Sequence, residues 1–437
     1  MKSCEYRSLI VRNLFNSNFI RNVIIVASGT AGAQAITLLL TPIITRIYGP
    51  SIIGVAGVFS SIVIVLSPLA TLSYHYAIVL PKRESEARAI FFLSLKLAVL
   101  FSILLLVCIL LLNDYLFVIF SQSGVSEYLL FVPFAVFFYS LWQMLEQYLI
   151  RQGMFKEKAK AAILHSITFN GLKVIIGFIS ASTWTFVLIT TALGGINSFF
   201  LYFFSRNKLK EIKNSQSRIA EKIIFYRYID FAKYKSPEMA VNAASQGLPI
   251  ILLASFYGAQ AAGYFTLARS ILGLPATLIG KSVGDVFYPK ISKECNDGRK
   301  IYVTVKKSTL YLGLVGLLPF GFVALFGSYI FGFIFGSEWF KSGVYASWLS
   351  VWLYFMFINA PCIKTLMVIG KQGFLLAFTL ITITLRVFVL FITHELFNDD
   401  IYTVAVFAIS GAVLNVVLII ISFSLCKGFD NRETTHG

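Results

Sequence analysis

Residues 27–54 read ASGTAGAQAITLLLTPIITRIYGPSIIG. The apolar run containing them begins at Val23, holds to about Ile44, and meets its first charge at Arg46. A helix needs about 20 apolar residues to cross a hydrocarbon core, so this run predicts one complete crossing. It shows none of the alternation that a membrane barrel strand requires. Gly49-Pro50 then punctuates the chain, and a second apolar run starts at Gly54. The stretch therefore reads as two helical spans joined by a tight hairpin. Lys2, Arg7, Arg12 and Arg21 precede it as a basic leader. The first run is too long for a signal-peptide core, which makes it a retained anchor.

The rest of the chain repeats this grammar. It has 437 residues, 57% hydrophobic and 13% charged, against roughly 25% charged in a soluble domain. Apolar runs place spans at about 22–45, 54–80, 89–112, 128–150, 161–182 and 184–205, then 239–257, 263–288, 303–330, 343–369, 373–393 and 401–426. The expectation is an all-α polytopic membrane protein of about twelve transmembrane helices. Its parts are an N-terminal segment (1–21), a six-helix lobe (22–205), a basic linker (206–238), a second six-helix lobe (239–426) and a tail (427–437).

The formal charge of +17 does not point to nucleic acid, because of where it lies. Of the 37 Lys and Arg, six fall inside predicted spans and two, Arg46 and Lys341, lie on one side. All others occupy the alternate loops, with nine between Arg206 and Lys235. Such asymmetry is what the positive-inside rule produces, and it predicts both termini in the cytoplasm. In the linker, Ile219, Ile223 and Tyr226 fall at helical spacing among basic residues. That pattern suits either an amphipathic helix on anionic lipid or a solvated connector.

The hairpin recurs. Ile47-Tyr48-Gly49-Pro50-Ser51-Ile52-Ile53-Gly54 returns as Phe256-Tyr257-Gly258-Ala259-Gln260-Ala261-Ala262-Gly263, at an offset of 209. Each copy is Tyr-Gly, four residues, Gly, and each following span ends at Pro-Lys (Pro81-Lys82, Pro289-Lys290). Six spans per half insert the two halves in the same orientation, related by an axis along the membrane normal, an arrangement found in transporters.

These segments, Ala27–Gly54 and GYFTLARSILGLPATLIGKSVGDVFYPKIS from Gly263 to Ser292, resemble the Wzx-type oligosaccharide flippases of bacterial surface polysaccharide synthesis. That family shares a superfamily with the MATE multidrug exporters and the lipid II flippase MurJ. The resemblance extends over the whole chain. It implies two six-helix lobes in the bacterial inner membrane. The cargo it implies is an undecaprenyl-diphosphate-linked oligosaccharide repeat unit for O-antigen or capsule, moved by alternating access on an ion gradient. A polysaccharide polymerase and a chain-length regulator are its implied partners, beside membrane lipids.

A charge at the bilayer centre costs about 2.5–3.5 kcal/mol on insertion scales, so cations within spans single out candidate residues. Lys96, Lys364 and the acidic Glu146 lie near a span end, where long side chains reach water. Lys281 and Asp285 are four apart on one predicted helix, which fits a simple ion pair and equally fits ion coupling. Lys173 and Arg386 lie near mid-span. Ser166, Asn170, Lys173 and Gly177 line one face of the fifth span; Thr379, Thr382 and Arg386 line one of the eleventh. Such stripes serve either as helix–helix glue or as the wall of a water-filled path. Arg269 and Arg46 lie toward the outer side, placed either to meet a diphosphate or to anchor in the interface. Six buried cations against two acids favour an anionic cargo, since Arg and Lys pair with phosphate. An exporter of organic cations, the alternative on the same fold, should show lumenal carboxylates instead.

Enzyme chemistry finds little support. Gly280-Lys281-Ser282 lacks the glycine five places upstream that a phosphate-binding loop needs; Pro275 stands there. The four histidines and five cysteines have no metal or disulfide spacing, so neither cofactor nor metal is expected. Asp399-Asp400 looks like the acidic pair of lipid-dependent glycosyltransferases, but the first outer hairpin carries no acid and no outer loop is large.

Overall fold

A computed structural model gives the architecture. It describes the backbone of residues 17–213 and 221–436, and the side chains of residues 25–206, 222–274, 287–288, 290–295 and 297–431. Among the described residues every regular element is helical. The long helices are α1 (Ser17–Ala70), α2 (Glu84–Leu111), α4 (Val132–Arg151), α5 (Phe155–Ile179), α6 (Thr183–Lys213), α8 (Ser236–Asn296), α9 (Ile301–Phe335), α10 (Phe340–Ile358), α12 (Gln372–Phe397) and α13 (Asp400–His436). Shorter pieces are α3 (Asn113–Phe120), α7 (Glu221–Arg227) and α11 (Ala360–Val368).

Ten helical runs are long and apolar enough to cross a membrane, and two of them are far too long for one crossing: Ile25–Ala70 at 46 residues and Phe231–Leu274 at 44. At 1.5 Å per residue a straight helix of that length would reach about 65–70 Å, twice a hydrocarbon core. Neither is straight. The first bends at Gly49 (φ 68°, ψ 173°) and the second at Gly258 (φ 83°, ψ 173°), a backbone region open almost only to glycine. Each bent run therefore makes two crossings, which brings the total to twelve and returns the chain to the side it started from.

The repeated hairpin is thus a repeated conformation, and its second glycine has a repeated job. A Cβ on Gly54 would overlap the carbonyl oxygen of Ala259, and one on Gly263 would overlap the carbonyl oxygen of Pro50. The two half-helices cross at these glycines, each backbone lying against the other, as small residues permit within a membrane. The two tyrosines also act alike. Tyr48 donates a hydrogen bond to the Lys173 carbonyl oxygen on α5 (2.8 Å) and packs edge-on to Phe186 of α6. Tyr257 bonds Thr403 of α13 (2.7 Å) and sits edge-on to His394 of α12. Each thus sits between the last two helices of its own half.

Packing divides the chain into two units: Met1–Tyr48 with Val58–Gly247, and Gly49–Gly57 with Leu248–Gly437. In the first unit, α1 stops at Ala70, and Leu72 (φ 46°) and Ser73 (φ 56°) turn the chain into a short 3-10 helix, Tyr74–Val79. The expected continuous span 54–80 is therefore broken. His75 is buried there, its Nδ1 2.7 Å from Thr71 Oγ1. Below the break, α7 docks through Ile224, fully buried among Tyr74, Ile78, Ile90 and Tyr148. Tyr74 donates to the Phe225 carbonyl oxygen (2.8 Å), and Arg227 and Tyr228 both donate to the Glu86 carboxylate (2.7 and 3.1 Å). Burial, with Glu86 adding to it, raises the Tyr228 phenol above its ordinary pKa. Part of the linker is therefore held on the protein by Ile224, while Ile223 and Tyr226 stay exposed; Ile219 lies outside the described residues.

In the second unit, Asp430 near the end of α13 accepts from the free backbone N–H groups of Ile301 and Tyr302 (2.9 and 3.0 Å). That carboxylate satisfies donors which the first turn of α9 leaves open. Cys362 and Cys426 are buried in the apolar cluster of Ile291, Ile301 and Val305, as ordinary small apolar residues.

Candidate functional site

The deep cations lie one to each unit, and each is held by aromatic rings. In the first unit α5 divides its circumference into three stripes. Leu164, Ile167, Ile175 and Phe178 are exposed, as a lipid-facing stripe should be. Ser166 and Asn170 are buried against α1: Ser166 Oγ donates to the Ala33 carbonyl oxygen (2.8 Å), and Asn170 Nδ2 to Thr37 Oγ1 (3.1 Å). Gly177 continues this stripe, where a Cβ would press within 2.7 Å of Ile47. The polar residues that share a stripe in sequence thus part company in space. Ser166 and Asn170 join two helices, and Lys173 does not.

The third stripe is His165, Phe169 and Lys173, each four residues from the last. The Lys173 ammonium lies 4.1 Å from the centroid of Phe169 and 4.2 Å from that of Phe186, within the range of cation–π attraction. No carboxylate pairs with it among the described residues. Phe169 stacks on His165 (5.6 Å, 14°), His165 on Trp142 (6.3 Å, 30°), and Trp142 meets Tyr139 edge-on (5.0 Å). Glu146, the acid expected near the span end, is accounted for by Lys158 at 2.6 Å.

In the second unit Arg386 is only 7% exposed. Its guanidinium lies 3.8 Å from the ring centroids of both Trp352 and Phe407, in the corner where those two rings meet edge to face at 5.6 Å, within the range of cation–π attraction. Its Nε and Nη2 are buried without a hydrogen-bond partner. Arg269 lies over the same indole at 5.8 Å. Gly411 makes room for that indole, since a Cβ there would come within 2.7 Å of Trp352 Cδ1. Of the expected stripe, Thr379 bonds back to the Leu375 carbonyl oxygen (2.8 Å) on its own exposed face, while Thr382 Oγ1 is buried without a partner.

Arg46 is exposed three residues before the Gly49 bend. Lys281 and Asp285 lie outside the described side chains. The acidic pair Asp399-Asp400 has structural work. Asp399 Oδ1 accepts from the Ile401 and Tyr402 N–H groups (2.8 and 3.0 Å) at the start of α13, and Asp400 pairs with Lys341 at 2.7 Å. Sequence reasoning missed Trp352, Phe407 and Phe186 as holders of the cations. It also missed Asn359, which is fully buried and donates to Asn415 (3.0 Å) where α10 gives way to α11.

Residues 43–343 match the family described as polysaccharide biosynthesis protein. No curated protein matches the chain in sequence. Among solved structures, it is similar to a multidrug resistance MATE family transporter of the MOP superfamily in its inward-facing conformation (TM-score 0.70, 16% identity, covering 91% of this chain and 96% of that one). It is equally similar to the lipid II flippase MurJ in an inward closed conformation (TM-score 0.69, 16% identity, 91% and 87%). A third likeness is a MOP superfamily transporter from Pyrococcus furiosus, whose binding pocket has reverse polarity (TM-score 0.56, 13% identity, 95% and 96%). At these identities the likeness speaks for the twelve-helix fold.

Proposed function

The chain belongs to the polysaccharide biosynthesis protein family, and from that premise we propose that it is a flippase for undecaprenyl-diphosphate-linked oligosaccharides. It would move repeat units for O-antigen or capsule across the bacterial inner membrane by alternating access, its two six-helix lobes joined by the 206–238 linker. The observation that carries this reading is the pair of deep cations, Lys173 and Arg386, each held against two aromatic rings and with no carboxylate partner among the described residues. A buried cation without a counter-ion is costly, and a diphosphate supplies the missing charge. Arg269, beside Arg386, adds to the same field, and Arg46 would meet the diphosphate at the exit. Asn170 serves the path indirectly, by fixing α5 on α1. Asp285 and Lys281 remain candidates for ion coupling. A polysaccharide polymerase and a chain-length regulator would act on the delivered unit, and no step calls for catalysis by this chain.

The rival reading is a small-molecule exporter on the MATE pattern. Pocket polarity separates the two, because a carrier of organic cations gains from carboxylates and loses from Lys173 and Arg386.

Deleting the gene should abolish surface polysaccharide and accumulate lipid-diphosphate-linked oligosaccharide, with no change in tolerance of organic cations. Lys173→Ala, at normal protein level, should reduce surface polysaccharide about tenfold, the worth of one charge-assisted contact of ~1.4 kcal/mol. Unchanged polysaccharide in the deletion strain, or a selective loss of cation tolerance, would sink the flippase reading.

Orientation has its own test. Single cysteines introduced between Arg206 and Lys235 should resist impermeant thiol reagents in intact cells and react once the membrane is opened. Labelling in intact cells would reverse the proposed cytoplasmic placement of the termini.

A further inference from the structure

Resting on the reading of the linker side as cytoplasmic, we propose that the outward face of α7 and the turn after it bind anionic phospholipid. That face consists of Lys222, Ile223, Tyr226, Lys233 and Tyr234. The opposite face of α7 is occupied by the protein itself. Ile224 is fully buried against Tyr74, Ile78, Ile90 and Tyr148, with Phe225, Tyr228 and Phe231 partly buried around it. At about 100° per residue, Lys222 and Tyr226 both stand about 160° away from Ile224. Ile223 is 55% exposed, Tyr226 63% and Tyr234 71%.

The seat of α7 fixes the height of this face. Glu86 and Ile90 lie in the first two turns of α2, and Tyr148 lies in the last turn of α4. Both helices are long and apolar enough to cross the membrane, and α7 packs on their ends, at the rim of the bilayer. The chain stays at that edge after α7. Ser236 Oγ donates to the Pro68 carbonyl oxygen (3.0 Å), close to where α1 ends at Ala70.

Chemistry at that height selects the occupant. In water the face would gain nothing from one isoleucine and two tyrosines. At the headgroup boundary Ile223 reaches the acyl chains and the tyrosines suit the interface. Lysine stems lie along the apolar surface while their ammonium groups meet phosphate. Arg227 and Lys235 are already paired, with Glu86 and Glu238. Lys222 and Lys233 are exposed, with no carboxylate partner among the described residues. The sequence leading into α7 adds Arg206, Lys208, Lys210, Lys213 and Arg218 against Glu211, a balance that suits a negatively charged leaflet. An acidic protein would satisfy the lysines equally; the position at the rim favours lipid, which is already there.

Amide hydrogen exchange of the full chain in nanodiscs tests this. With phosphatidylglycerol present in phosphatidylcholine, residues 221–235 should exchange about tenfold more slowly than in phosphatidylcholine alone. Residues 155–179 of α5 should exchange alike in both. Lys222→Glu combined with Lys233→Glu should abolish the difference, as should Ile223→Asp combined with Tyr226→Asp. Lys222→Arg combined with Lys233→Arg should keep it. These side chains are exposed, so the variants should fold, and unchanged exchange in α5 checks that they do. Equal exchange of 221–235 in the two lipids overturns the proposal, and so does a difference that survives in the charge-reversed pair. Both faces of a nanodisc carry the same lipid and no cargo is present. A reversed orientation, or failure of the flippase reading in the deletion strain, is therefore distinguishable from failure of the lipid surface.

Discussion

Arg386→Ala is expected to stop polysaccharide export almost completely while the protein still folds and inserts. The guanidinium sits in the corner made by Trp352 and Phe407, 3.8 Å from each ring centroid, and its Nε and Nη2 are buried with no hydrogen-bond partner among the described residues. Those two nitrogens form one edge of the guanidinium, whose donors match two oxygens of a phosphate. An uncompensated buried charge destabilises the protein that carries it, so removing it should leave the melting temperature unchanged or higher. Removing a two-bond, charge-assisted contact to a diphosphate should cost about 3–5 kcal/mol of cargo binding, at least a hundredfold in flux. Arg386→Lys should fail nearly as badly, because an ammonium offers no paired edge of donors to two phosphate oxygens. Surface polysaccharide, accumulated lipid-linked oligosaccharide and membrane protein level would be measured together. Wild-type export by Arg386→Ala would refute the assignment.

The contrast between Arg386 and its surroundings shows what a single sequence can and cannot reveal. A charge inside an apolar run is legible because lipid penalises it wherever the helices go. The twelve crossings are legible for the same reason, even where two of them share one helical run, since Tyr48-Gly49 and Tyr257-Gly258 announce the bends. Partners are another matter. Trp352 and Phe407 lie on other helices, and among 42 Phe and 5 Trp nothing in the spacing selects them. Asn170 sits four residues from Ser166 and three from Lys173, so a helical wheel groups all three; only the position of Thr37 on α1 separates glue from path. The break after Ala70 was hidden because Leu72 and Ser73 adopt positive φ although neither is a glycine. In the linker, the periodicity of Ile223 and Tyr226 suits either a lipid-facing helix or a solvated connector, and the docking by Ile224 depends on its contacts with Tyr74.

Gly263→Leu should prevent the protein from accumulating, and Gly263→Ala should lower its stability by about 1–3 kcal/mol, the cost of overpacking. The reason lies in which atoms stand opposite. A Cβ at Gly263 would overlap the Pro50 carbonyl oxygen, and one at Gly54 the Ala259 carbonyl oxygen. These are backbone atoms, so no rotamer change relieves the overlap; the two half-helices would have to move apart. Separation would also strip the dispersion contacts that hold helices together where lipid offers no hydrophobic drive. Gly171 is the control, because it lies in a helix with open space around its Cβ direction. Gly171→Ala should be neutral or stabilising by up to about 1 kcal/mol from helix propensity alone. The comparison is the melting temperature of purified protein for the two alanine variants. Equal temperatures would mean that the crossing tolerates separation, and that the repeated second glycine of the hairpin answers to something other than close approach. A large drop at Gly263 and at Gly54 but not at Gly171 would show that the Tyr-Gly-four-Gly pattern is kept by two distinct demands: a backbone angle at its first glycine, and bare backbone at its second.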